Sequence, residues 1–203
     1  MPPKIVIRLA VPSAGLTVAG LVATAFNPLD VSQWLVPDPQ ERYDIFPHYF
    51  GIVVDHALEC GTVHVTNDLT GAAVWLPVPH PEIPGYDDKI EAACGEWADR
   101  FRQLDAAMHK AHPTKADHDY LAFLAVHPTR QGHRYGTALL RHHLDHLDEA
   151  GRPAYLEASN SRSRDLYERL GWSDCAPTLD LPYQGERMYP MWRGRNPPNP
   201  ATS

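Results

Sequence analysis

Apolar positions along this chain recur with two different periods, and the switches between them divide it into elements. IVIRL alternates and predicts a strand over Ile5–Leu9, after which Ser13 predicts a cap for an amphipathic helix running to Phe26. NPLDVSQWLVPDPQ has no sustained period and reads as a loop or short helical region. A second helix is predicted over Glu41–Leu58, stopped near Gly61, followed by two short strands, Thr62–Thr66 and Ala72–Leu76, joined by the turn NDLTG. PVPHPEIPG is a proline-rich connector. Beyond it Ile90, Ala93, Trp97, Phe101, Leu104 and Met108 recur at helical spacing and predict one long helix over Lys89–His109.

The segment Tyr120–Val126 is nearly all apolar, as in a strand buried on both faces. A helix follows over Tyr135–Ala150, with Gly136, Leu140, Leu144 and Leu147 on one stripe and Gly151 as its stop. PAYLEAS predicts another strand, SRSRDLYERLGW another helix, and Asp174–Leu181 and Arg187–Trp192 two closing strands. This order implies an α/β fold with helices on both faces of one sheet. With 203 residues the chain suits a single domain, expected over 1–193, with 194–203 as a flexible tail.

Composition narrows the picture. At 43% apolar and 21% charged the chain is globular, not disordered. A net charge of −7 argues against bulk nucleic-acid binding or a polybasic membrane surface. The charge is uneven: residues 127–172 hold seven Arg and six acids, a balance of +1 against −8 elsewhere, which suits one anionic ligand. Three scattered cysteines, Cys60, Cys94 and Cys175, show no metal spacing and fit a reducing cytoplasm. KIVIRLAVPSAGLTVAGLVATAF mimics a signal peptide, but Pro12 and Ser13 interrupt its apolar run, so the strand and helix are the better reading.

Between the apolar strand and the leucine-bearing helix lies VHPTRQGHRYGT, rich in cationic and imidazole side chains and free of acids. A strand feeding a glycine-bearing turn that opens a helix is an anion site, because the first-turn N–H groups lack intrahelical partners. Arg130, His133 and Arg134 strengthen it. A nucleotide P-loop would need Gly-Lys-Ser/Thr, and Tyr135-Gly136-Thr137 has no lysine; Gly132-xxx-Gly136 also misses the dinucleotide spacing.

Two motifs together resemble the GNAT superfamily of acyl-CoA-dependent N-acyltransferases. The family's Gln/Arg-x-x-Gly-x-Gly/Ala pattern maps onto Gln131, Gly132, His133, Arg134, Tyr135 and Gly136, with Thr137 next; its downstream pattern maps onto Asn160, Tyr167 and Leu170-Gly171-Trp172. Arg134 departs from the family's usual glycine, and is accommodated if its backbone is already helical. VIRLAVPSAG, TGAAVWLPVP, LYERLGW and MYPMWR are further similar to the actinobacterial puromycin N-acetyltransferase-like subgroup. The resemblance implies a GNAT fold with a mixed, mostly antiparallel sheet of six to seven strands. It also implies acetyl-CoA as co-substrate, no metal, and a small-molecule primary amine as acceptor, attacked directly, with antibiotics or aminonucleosides in view.

By the same resemblance Leu124, Ala125 and Val126 pair with pantetheine and offer an oxyanion N–H, Gln131–Thr137 hold the pyrophosphate, and Asn160 and Ser163 flank the pantetheine arm. Tyr167 is the candidate acid for the departing thiolate, its phenol pKa of about 10 lying near a thiol's 8.5. Glu157, mid-strand between Leu156 and Ala158, is the candidate base and acceptor contact, with an arginine ion pair as the rival reading. His118, Asp119 and Tyr120 are weaker options at a strand end expected to be solvated. His142, His143 and His146 are read as a solvated helix face rather than a metal site. Phe46, Tyr49 and Trp75 are assigned to the core, and Trp34 to an acceptor pocket. A cytoplasmic monomer or homodimer without nucleic-acid or membrane partners is expected. A peptide or protein N-acetyltransferase and a non-catalytic acyl-CoA-binding module are the alternatives.

Overall fold

A computed structural model describes residues 5–113 and 116–195 of the chain. Its seven strands are β1 (Ile7–Leu9), β2 (Thr62–Thr66), β3 (Gly71–Val78), β4 (His118–Val126), β5 (Ala154–Ala158), β6 (Ser173–Asp174) and β7 (Tyr189–Arg193). They form one sheet in the order β1-β2-β3-β4-β5-β7-β6, antiparallel throughout except for the β4–β5 pair. The helices are α1 (Gly15–Phe26), α2 (Asp30–Leu35), α3 (Pro39–Cys60), α4 (Tyr86–Cys94), α5 (Ala98–Ala111), α6 (Tyr135–Ala150) and α7 (Ser161–Glu168).

Alternation along β3 sends side chains to two separate cores. Ala72, Val74 and Leu76 pack with α1, α3 and α5, where Val22, Phe46, Val54 and Phe101 are fully buried. Ala73 and Trp75 face α6, meeting Leu139, Leu140, Leu144 and Leu147 together with Tyr167 and Trp172. Helices therefore cover both faces, as expected.

One irregularity positions the site. The β3–β4 register places Phe123 opposite Val74 but Leu121 opposite Trp75, so Ala122 is an extra residue on β4. A bulge of this kind bends and twists its strand. On the other side β4 pairs with β5 only at Asp119↔Ala154 and Tyr120↔Tyr155, just before the bulge. Past it the two strands part. Ala122, Phe123, Leu124 and Val126 are consequently only half-buried, which corrects the expectation of a strand sealed on both faces.

Other corrections have local causes. The predicted strand Ile5–Leu9 is shorter, Ile7–Leu9, and Ser13 lies in a 3-10 turn instead of capping α1, whose N-cap is Ala14. The second helix starts earlier, at Pro39, because Asp38 Oδ1 accepts the N–H groups of Gln40 and Glu41 at 2.6 and 3.1 Å. The single long helix is two, α4 and α5, broken where Gly95 takes φ +52°. Asp174–Leu181 is no strand beyond Ser173–Asp174; Pro177 and Pro182 lack the N–H a ladder needs, although Leu179, Leu181 and Tyr183 still bury alternately. The stretch that mimics a signal peptide forms β1 and the core helix α1 from residue 7 on, and among the described residues no helix is long and apolar enough to cross a membrane. Lys4 and residues 196–203 of the expected tail lie outside the described residues.

Candidate active site

A cleft of about 550 Å³ opens where β4 leaves β5, within the size range of small-molecule sites. Leu124 and Val126 of β4 form its floor, the loop before α6 one wall, α7 the other, and Phe26 to Leu29 a third side. The His127 N–H bonds to the carbonyl of Thr70, just before β3, at 2.8 Å. Strand alternation therefore turns the N–H groups of Val126 and Leu124 away from β3, toward the gap. Ala125 faces the opposite core and is fully buried, so only its backbone belongs to this neighbourhood.

The loop ends in an open helix start. The first intrahelical bond of α6 runs from Ala138 N to Arg134 O, and no side chain caps the helix. The N–H groups of Tyr135, Gly136 and Thr137 are thus left for a ligand, with the helix dipole behind them. Gln131, Gly132, Arg134 and Tyr135 line the same cleft, whereas His133 points outward with its Nδ1 at 2.9 Å from Gln131 O. Arg134 has φ +66° and ψ +11°, a left-handed conformation and not the helical one expected of it. This conformation explains why glycine suits the position: a side chain there costs roughly 1–2 kcal/mol.

From the other wall α7 contributes Asn160, Arg162, Ser163, Leu166 and Arg169. Asn160 Oδ1 caps the helix by accepting Ser163 N–H at 2.8 Å, and Ser163 Oγ answers from the Asn160 N–H at 3.2 Å. Ser163 is thereby committed to the cap, while Asn160 Nδ2 has no partner among the described residues. Arg162 and Arg169 were missed by the sequence reading; their spacing of seven, with Leu166 between, was the available signal. Tyr167 is buried against Trp172, ring centroids 5.6 Å apart, and its hydroxyl has no hydrogen-bond partner among the described residues. Burial pushes its pKa well above the usual phenol value, so it is protonated at neutral pH.

Glu157 sits two residues past the last β4–β5 rung. Tyr120 donates its hydroxyl to Glu157 Oε2 at 2.9 Å, and Oε1 is sealed without a partner. Among the described residues no arginine pairs with it, so the ion-pair reading is set aside. Burial raises its pKa to about 7, against the pull of the neighbouring Tyr120 and Tyr155 hydroxyls.

The strand end expected to be solvated is interior. His118 is fully buried, with Nδ1 at 2.7 Å from Ala116 O and Nε2 at 3.0 Å from His112 Nε2. Asp119 accepts from His143 Nε2 at 2.8 Å and from Arg152 Nε. His143 in turn stacks on Trp75 at 4.2 Å and meets His64 at 3.2 Å, so it is a core residue and not part of a solvated stripe. His142 is half-buried and His146 exposed; among the described residues no group of three or more such side chains is placed to hold a metal ion. Phe46, Tyr49 and Trp75 are in the core. Trp34 lies on α2, stacked on Tyr183 at 5.9 Å, and lines a separate hollow of about 340 Å³ with Arg100 and Pro182. Glu186, which donates its N–H to Asp30 and accepts from Ser161, ties the neighbouring segments together. Trp34, Glu157 and Tyr167 are not among the residues that line the cleft beside β4.

Solved structures share this architecture. The chain is 22% identical to a histone acetyltransferase HPA2 and related acetyltransferase from Corynebacterium glutamicum, covering 99% of each chain with a TM-score of 0.71. It is 19% identical to a mosquito arylalkylamine N-acetyltransferase like 5b (94% and 100% covered, TM-score 0.65). Against an agmatine N-acetyltransferase it is 14% identical (95% and 100% covered, TM-score 0.60). At such identities these likenesses establish the fold. Residues 24–172, spanning the bulged strand, the open helix start and Tyr167, match the acetyltransferase (GNAT) family, and the chain belongs to that family of acetyl-CoA-dependent acyltransferases.

Proposed function

We propose that the chain transfers acetyl from acetyl-CoA to the primary amine of a bulky, neutral-to-cationic small molecule, by direct attack, in the cytoplasm. The observation that carries this reading is the uncapped start of α6 beside the gap between β4 and β5. Gln131–Thr137 and the cleft arginines bind the diphosphate, and the outward N–H groups of Leu124 and Val126 with Asn160 Nδ2 hold the pantetheine arm. Bound acetyl-CoA supplies the acetyl thioester. Val126 N–H faces its carbonyl oxygen as the oxyanion donor.

Glu157 accepts the proton that an ammonium must lose before its lone pair can form the new C–N bond. Its raised pKa suits that task near neutral pH. Tyr167 gives its proton to the thiolate released as the C–S bond breaks. Its own pKa is raised, but the thiolate is desolvated in the same place and rises with it. Trp34 and Tyr183 stack on each other in a hollow apart from the cleft, so the acceptor's body is not assigned to them. The acidic balance of −8 outside residues 127–172 favours cationic acceptors, and the sequence likeness to the puromycin N-acetyltransferase-like subgroup points to antibiotics or aminonucleosides.

An acceptor screen that follows CoA thiol release over aminonucleosides, aminoglycosides, polyamines, amino acids and peptides tests this. Best turnover on a bulky primary amine supports it. A small anionic amino acid or a peptide as best acceptor by tenfold, about 1.4 kcal/mol, overturns the substrate class.

A further inference from the structure

We propose that Arg162 and Arg169 reach beyond the diphosphate to hold the 3′-phosphate of coenzyme A, so that the protein selects the complete cofactor over its dephospho form. The assignment rests on the cleft being the acetyl-CoA site. Four arginines line that cleft, Arg130, Arg134, Arg162 and Arg169, and no acid does. Arg130 and Arg134 precede α6, whose uncapped N–H groups and dipole already answer a diphosphate. Arg162 and Arg169 stand on the facing wall, one in α7 and one at its C-cap. Four guanidinium charges exceed what a diphosphate diester carries, about one negative charge per phosphorus. Coenzyme A has one further anionic group, the phosphate monoester on its ribose, with a charge of about −1.5 to −2 at pH 7. That group balances the surplus.

The contacts of α7 separate its arginines. Arg164 is spent on protein partners: it forks onto Asp174 at 2.8 and 2.9 Å, meets Glu168 at 2.8 Å and lies over the Tyr189 ring. Arg162 and Arg169 are exposed and make no hydrogen bond or ion pair among the described residues. Arg169 keeps helical dihedrals, φ −63° and ψ −15°, so the spacing of seven sets both arginines on one side of the helix with Leu166 between. They stand about 10 Å apart along its axis, a span that two long side chains close onto one phosphate. The neighbouring acids Asp165, Glu168 and Glu186 do not line the cleft.

Calorimetric titration with CoA and with dephospho-CoA, with no acceptor present, tests the role. The parent should bind CoA at least about tenfold more tightly than dephospho-CoA, the scale of a hydrogen bond to a charged group. That ratio should shrink as salt is raised. Arg162→Gln and Arg169→Gln should each lower it, and the double variant should bring the two Kd values within about threefold. Arg164→Gln should keep the parent's ratio. Equal Kd values in the parent, or a parent-like ratio in the double variant, overturn the role of these arginines and leave the cofactor site standing. An equal fall in Arg164→Gln overturns it too, because that arginine does not line the cleft. Binding of neither ligand by the parent overturns the site itself, and this inference with it.

Discussion

The Tyr120 hydroxyl reaches Glu157 Oε2 at 2.9 Å across the point where β4 and β5 separate, so the candidate base is held beside the parting strands although it does not line the cleft between them. A carboxylate in that place titrates high, at about 7. As a base it works only when deprotonated, so kcat/KM should rise with pH through about 7. Glu157→Gln should cost roughly 10²–10⁴-fold in turnover and abolish that limb. A parent-like pH profile in the variant would show that the base lies elsewhere.

The same shift has a consequence for folding. A carboxyl whose folded pKa is raised gives stability that is fully present below its unfolded pKa and is lost as pH rises through the folded value. Glu157→Gln should therefore stabilise the protein at pH 8, by about 1–3 kcal/mol, and gain little at pH 4. Urea unfolding at the two pH values decides it.

Tyr167→Phe removes a buried, protonated hydroxyl and almost no volume. Turnover should drop roughly 10²–10⁴-fold while the acetyl-CoA Kd stays within about twofold. Equal turnover in parent and variant would reduce Tyr167 to a packing residue.

Arg134→Gly relieves a left-handed backbone and removes a cation from the cleft. Melting should rise by about 2–4 °C for each kcal/mol recovered, and CoA affinity should fall. Tighter CoA binding in the variant would mean that the guanidinium obstructs the site.

Asp119 carries the opposite pH signature. Burial alone would raise it, but His143 and Arg152 hold it below the usual carboxylate range. Its contribution is present above the ordinary carboxylate pKa and lost as pH falls through the folded value. Asp119→Ala should cost about 1–3 kcal/mol at pH 7 and progressively less in acid, read from unfolding midpoints.

Where periodicity and a stop signal coincide, the sequence is a good guide: Leu140, Leu144, Leu147 and Gly151 place α6 as it is found. The break between α4 and α5 was hidden because Ile90, Ala93, Trp97 and Phe101 keep a helical stripe through Gly95, and a lone glycine is a weak stop. Leu179, Leu181 and Tyr183 imitate a strand because they do alternate inward, without a ladder. The open turn before α6 was legible through glycine and cation placement. The parting of β4 from β5 depends on long-range pairing that local pattern does not carry.

If acetyl-CoA binds at the start of α6, a carboxylate placed there should expel it. A Cβ on Gly136 meets Leu124 at an ordinary 3.5 Å, so Gly136→Glu should fold while placing a carboxylate in the diphosphate seat. At a hundredfold its Kd acetyl-CoA should stabilise the parent by about 2.7 kcal/mol, read as a melting shift, and leave Gly136→Glu unmoved. An equal shift in both proteins would place the acetyl-CoA site elsewhere.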